Sequence, residues 1–339
     1  MNVQIRITDR EGVLNDSELR DWGNSLLFSA LDAARENKRA AYWIRRHAMY
    51  DGKPLDGWYE LPGWRLAPAP EQPSGPEAPD NPRSLQLVVI DAQVMGIDER
   101  DALEQARGTL TRRVAHAAFL LAIPLRWLPD QPSVAADAHG GPAITNAWRG
   151  RFGAVDQDAD PFSNPAQKGT WGHDFIWPWR DPIQGGALDG LRVPQAGLSL
   201  LRRLGRNPKA SSAFDSASRL YHLSMILPEG FRSASVALTI AAVEALTKGL
   251  EGFEGLGDKA RFIEFFSRYN TTSEIDPDRV YGRWRSGMFH AGQFARIDGA
   301  HYQIDFVDDS VESAELQRIP EAIRRAFAGW VDHLASSPS

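Results

Sequence analysis

Tyr281-Gly282-Arg283-Trp284-Arg285-Ser286-Gly287-Met288-Phe289-His290-Ala291-Gly292 decides how the last third of this chain is read. Just upstream, Asp276-Pro277 supplies an N-cap followed by proline in the first helical position, and the next proline is Pro320. The stretch therefore reads as a helix, with Arg285 five positions before His290. On a regular helix that offset sets the two side chains about 140° apart and about 7.5 Å apart along the axis. They can border a groove but cannot sit side by side. Ser286 lies four positions before His290 and shares its face, where a hydroxyl can orient an imidazole.

The chemistry of the pair is specific even though its spacing is not. A histidine that titrates near neutrality can take or give a proton at a ribose hydroxyl, and an arginine can hold the charge that builds on a phosphorus centre. Neither role needs a metal. An arginine followed by four to six residues and a histidine also occurs at Arg283 to His290 and at Arg296 to His301, so the count of positions carries little information. Context separates them: Arg296 to His301 runs through Asp298-Gly299, a turn signal, and reads as a hairpin.

Tyr281, Arg285-Ser286, His290 and Gly292 together resemble the signature of the HEPN domain superfamily, in particular its Apea-like branch. Upstream, Ala234 to Leu246 resembles that branch's long apolar helix with its embedded glutamate, here Glu244, and Phe214 to Leu223 resembles the helix that opens the domain. The likeness covers roughly residues 210–339. Gly292 stands where some HEPN toxins carry a tyrosine, a departure from that subgroup. The resemblance implies an all-α HEPN helical bundle behind an α+β N-terminal domain, and a metal-independent endoribonuclease that leaves 2',3'-cyclic phosphate ends. It also implies a role in prokaryotic antiviral defence or abortive infection. In that scheme Arg285 and His290 are catalytic, and the groove is completed by the same helix of a second copy. RNA and a homodimer are the expected partners, a phage-derived or host trigger is a candidate one, and no cofactor is called for.

Each of these residues also has a plainer reading. His290 can be a half-buried helix residue with one hydrogen bond, and Arg285 a solvated charge or a partner for Glu244. Glu244 itself is either the solvent edge of its helix or a buried counter-charge. Tyr281 anchors the core or stacks on a guanidinium or a base. Arg279, Arg283 and Trp284 are RNA-binding candidates. A rival of another class is a non-catalytic HEPN dimerisation or nucleotide-sensing module, in which Arg285 and His290 hold a phosphate without cleaving it.

Composition bounds the alternatives. The 339 residues are 42% hydrophobic and 24% charged, ordinary for a globular protein and long enough for two domains. No cysteine is present, which removes disulfides, thiol nucleophiles and cysteine-ligated zinc. Charges occupy the place of a signal peptide's apolar core, and no apolar run approaches the roughly 18 residues a membrane helix requires, so a cytoplasmic protein is expected. The net charge is -6, and residues 211–339 hold 13 Lys and Arg against 18 Asp and Glu. Tight general binding to nucleic acid is therefore not expected. A local patch is, because Arg279, Arg283, Arg285 and Arg296 cluster while acids gather between Asp305 and Glu315.

Along the chain, the spacing predicts a helix over 16–46, an exposed proline-rich loop over 67–83, a strand over 85–92 and a helix over 98–121. Residues 129–194 read as loops with short strands, and the domain boundary falls between 195 and 196. Within that region Trp171, Trp177 and Trp179 offer either a stacking platform or core filling, and the adjacent His173-Asp174 is a weak catalytic candidate. Gly249 to Gly257 lacks the lysine of a phosphate loop and reads as a helix stop and connector. No His, Asp and Glu cluster has metal-ligand spacing.

Overall fold

Alternation along one strand organises the N-terminal half. The computed structural model describes residues 16–36, 39–70, 85–128, 133–136, 142–146, 150–172, 190–270, 275–292, 295, 298 and 309–336. Helix α1 (Asp16–Glu36) leads into strand β1 (Ala40–Asp51), and β2 (Tyr59–Leu61), β3 (Trp64–Pro68) and β4 (Leu85–Gly96) come after it. In β4 the even positions Val88, Ile90, Ala92 and Val94 face the main core, while Leu87 and Val89 face a smaller cluster with Ala67, Ala69, Leu128 and Phe162. A period of two thus buries both faces of one strand.

Beyond β4 come helix α2 (Glu99–Leu121), the short strands β5 (Arg126–Trp127), β6 (Ser133–Ala136), β7 (Pro142–Asn146) and β8 (Phe152–Val155), then helices α3 (Gln195–Leu204), α4 (Pro208–Ile226), α5 (Arg232–Thr247) and α6 (Asp258–Tyr269). A broken helix made of α7 (Pro277–Val280), a π-helical stretch Tyr281–Ser286 and α8 (Gly287–Ala291), and then α9 (Asp309–Ser336), complete the order. The main sheet runs β2-β3-β4-β1-β5, with β8 also on β1, and its strand pairs are antiparallel. β6 and β7 form a separate hairpin. The chain is therefore α+β: an antiparallel sheet region, then a helical region.

Three expectations need correction. The helix read over 16–46 stops at Glu36, because Ala40 to Asp51 pairs with β4 over twelve residues. Tyr42, Trp43 and Ile44 suit a pleated surface, and that pairing overrides the helix formers around them. The strand over 85–92 continues to Gly96 for the same reason. The proline-rich loop begins later than expected, since Ala67 and Pro68 complete β3 and Ala69 is buried; residues 71–84 lie outside the described set.

Helix α2 begins at 99, where Asp98 accepts a hydrogen bond from the Asp101 amide at 2.8 Å as N-cap. Its last turns, Val114 to Leu121, are buried on every side because α2 lies between β4 and α4. From the far end of the chain, the fully buried Arg324 of α9 donates to the Phe119 and Leu120 carbonyls that α2's own ladder leaves open. Burial lowers its pKa to about 10. One continuous apolar core joins the sheet to the helices, with Phe119 edge-on to Phe214, Tyr221 and Phe327.

Candidate functional site

The motif lies on the broken helix that runs from α7 through the π-helical stretch to α8. Asp276 caps it, accepting from the Asp278 amide at 3.0 Å and the Arg279 amide at 3.4 Å. Gly292, at φ 62°, ends it in the left-handed conformation that glycine adopts without strain. The single helix expected from the sequence is present, but its regularity is not. The Gly287 amide bonds to the Gly282 carbonyl five residues back, so a wide turn rotates the segment before Gly287 relative to α8. The separation calculated for a regular helix does not describe it.

Glu244 organises this helix from α5. It is almost fully buried, and its Oε1 accepts from the Tyr281 hydroxyl at 2.7 Å. Arg285 closes on the same carboxylate with Nε 3.0 Å from Oε1 and Nη2 3.1 Å from Oε2. Of the readings open for Glu244, Arg285 and Tyr281, the structure takes the buried counter-charge, the ion pair and the core anchor: Tyr281 also packs on Phe262. Burial, reinforced by the hydrogen bond to Glu244, pushes the Tyr281 phenol well above its usual range.

Arg285 is held from its other side by Phe289, whose ring centroid is 4.3 Å from the guanidinium carbon and which stands 47% exposed. The Arg285 side chain keeps 22% of its surface. Its Nη1 makes no hydrogen bond among the described residues. His290 projects to solvent beside Phe289. Ser286 is half-buried, and among the described residues no hydrogen bond joins it to His290.

The RNA-binding candidates fare differently. Trp284 is 2% exposed in the core, which leaves its ring no face for a base. Arg283 lies over that ring at 4.6 Å and donates to Glu315 of α9 at 3.1 Å; Arg279 reaches the same carboxylate oxygen at 3.4 Å. The acids and arginines that are apart in the sequence are thus joined in space. Three arginines meet two carboxylates, and the expected basic patch is largely neutralised. Arg296, His301, His173-Asp174, Trp177 and Trp179 lie outside the described residues. Trp171 is described and packs edge-on to Tyr59 at 5.2 Å, which is core filling.

Sequence reasoning missed two polar clusters. Asp91, fully buried in β4, accepts from Arg45 Nε at 2.8 Å and Arg65 Nη2 at 3.0 Å. The available signal was a charge within the apolar run Val88-Val89-Ile90-Asp91-Ala92. The second joins His116 of α2 to Asp215 of α4. Among the described residues no group of His, Asp and Glu could hold a metal ion, and no helix is long and apolar enough to cross a membrane. No family model, curated protein or solved structure matches the chain.

Proposed function

We propose that the chain is a metal-independent endoribonuclease of HEPN type, with His290 as general acid or base at the 2'-hydroxyl and the 5'-oxygen, and Arg285 stabilising the charge on phosphorus. The observation that carries this reading is the contrast within one helix: Arg285 is fixed by Glu244 and Phe289 with no hydrogen bond from Nη1 among the described residues, while His290, five positions on, is exposed to solvent. Tyr281 and Glu244 act as positioning residues. Wide helical turns recur at functional sites, and this one lies under Arg285. One helix supplies one Arg285 and one His290, so the reading includes a two-fold dimer that brings a second copy of each to the phosphate. The helical region is read as the HEPN bundle, and the sheet region as the part that senses a phage-derived or host trigger.

A second reading has its own support. Glu244 compensates the charge of Arg285, which suits a module that holds a phosphate-bearing ligand or a partner copy without cleaving. Incubating RNA with the full chain in excess chelator separates the two. Wild type is expected to yield 2',3'-cyclic ends and His290→Ala about 10²- to 10⁴-fold fewer. Cleavage that stops with chelator and returns with magnesium sinks the ribonuclease reading as stated, and a fully active monomer in sedimentation removes its dimeric site.

A further inference from the structure

A cavity of about 220 Å³ opens where the β2–β3 turn meets α2, the end of α3 and the start of α4. Trp64, Arg112, Arg113, His116, Ser211 and Asp215 line it, and none belongs to the helix that carries Arg285. His116, almost fully buried, has Nε2 2.7 Å from Asp215 Oδ1, and its Nδ1 faces Arg113 Nη1 at 3.4 Å. A guanidinium only donates. Nδ1 is therefore the acceptor, Nε2 carries the proton, and a neutral imidazole donates to an ionised carboxylate. The pKa directions agree: burial holds His116 below its ordinary value, and Asp215 stays low, against the effect of its own burial, through the bond from His116 and the two arginines.

This leaves a surplus of donors. Arg113 Nε and the indole Nε1 of the fully buried Trp64 are both shielded from solvent, and among the described residues neither has a hydrogen-bond partner. Neither group can accept. Arg112 reaches Asp215 only at 3.5 Å, so two adjacent guanidiniums share one carboxylate and the lining is net positive by one. Gly63, at φ 74°, turns the chain against Arg113, where an added Cβ would stand 3.6 Å from Nη2. Buried donors without acceptors are costly, more so beside an unbalanced charge.

We propose that this cavity is a binding site for a phosphoryl group, as free phosphate or as the phosphate of a small monoester. A phosphoryl group offers three accepting oxygens and up to two negative charges, enough for two guanidiniums together; a carboxylate has two oxygens and one charge. The volume is below the roughly 300–1,000 Å³ of drug-sized sites, which fits a phosphate with little more than a ribose attached. A ligand there ties the turn of the sheet region to two helices of the helical region.

The test is calorimetric titration of the full chain with inorganic phosphate, AMP and adenosine, repeated on Arg112→Gln, Arg113→Gln and Asp215→Asn with folding checked by circular dichroism. It requires no RNA cleavage, so it stands or falls apart from the ribonuclease reading. Phosphate and AMP are expected to bind and adenosine not to. Phosphate alone would identify the free ion as the ligand, and markedly tighter AMP would identify a monoester. Each arginine substitution should weaken binding about tenfold or more. The half-exposed Arg112 keeps the test valid should Arg113→Gln not fold. Asp215→Asn should tighten binding, since it removes the one negative charge while keeping an acceptor for His116. The proposal is overturned by no binding, by adenosine binding as well as AMP, by affinity unchanged in the arginine variants, or by weaker binding in Asp215→Asn.

Discussion

Asp91 and Glu244 are both buried carboxylates held by arginine, one in the sheet and one in the helical region, and they differ in what surrounds the pair. Around Asp91 the network is sealed. Arg45 and Arg65 are buried with it, their remaining donors go to the Asp160, Gln157 and Asp156 carbonyls, and Phe162 and Trp43 stack on Arg65. Around Glu244 the network opens outward, through a partly exposed Arg285 to an exposed Phe289, with the exposed His290 next in sequence. A closed network fixes a loop to a sheet. An open one presents a charged group at the surface in a fixed direction, which is what chemistry on a ligand needs.

The sharpest way to break that comparison is at the open end. His290→Ala should lower RNA cleavage by about 10² to 10⁴ while leaving the unfolding midpoint unchanged; a variant that loses stability instead would make His290 structural. Arg285→Lys should also be damaging, because a point charge cannot both pair with Glu244 and present a planar fork. At the sealed end the order reverses. Asp91→Ala leaves two buried guanidiniums without a counter-charge and should cost about 3–5 kcal/mol in urea unfolding, with cleavage per folded molecule retained. Between them, Glu244→Gln keeps the shape of the carboxylate and should cost about 1–3 kcal/mol, since Tyr281 retains an acceptor and Arg285 can turn to water. A loss as large as that of Asp91→Ala would mean the two networks do not differ as described.

The smallest expected effect per group and per pH unit is a pH slope. Burial holds His116, His222 and His47 below the ordinary imidazole value of about 6.5. As pH falls through that value the unfolded chain binds protons that the folded chain refuses. Stability is therefore full above about pH 6.5 and declines below it, by up to about 1.4 kcal/mol per pH unit for each histidine still neutral in the fold. Chemical denaturation between about pH 7 and 5 checks this. A flat profile would show that the three imidazoles are charged in place.

How much the sequence disclosed depended on how local each signal was. Asp98 to Leu121 could be read as a helix because its cap and its apolar period lie within one segment, and Asp276-Pro277 marked a helix start for the same reason. Residues 40–46 were misread because β1 is fixed by partners in β4 more than forty positions away. In the site, Glu244 and Arg285 were recognisable as a potential pair. Glu315 was not, since nothing near Arg279 or Arg283 announces a carboxylate on α9. The irregular turn at Tyr281–Ser286 left no mark in composition, and Trp284 looked like a ligand contact because a helical period cannot say which side its neighbours occupy.

The clamp of Arg324 on the last carbonyls of α2 sets an order of events. A ribosome releases β1 to β4 and α2 some two hundred residues before it releases Arg324, and at about 5–20 residues per second that interval lasts on the order of ten seconds or more. The flank of α2 destined for α4 waits about half of it, and the side that meets Phe327 waits throughout, with the terminal carbonyls unclaimed. The sheet and α2 are thus born incomplete and sticky, and the segment that carries the proposed chemistry takes its final place only after α9 has emerged.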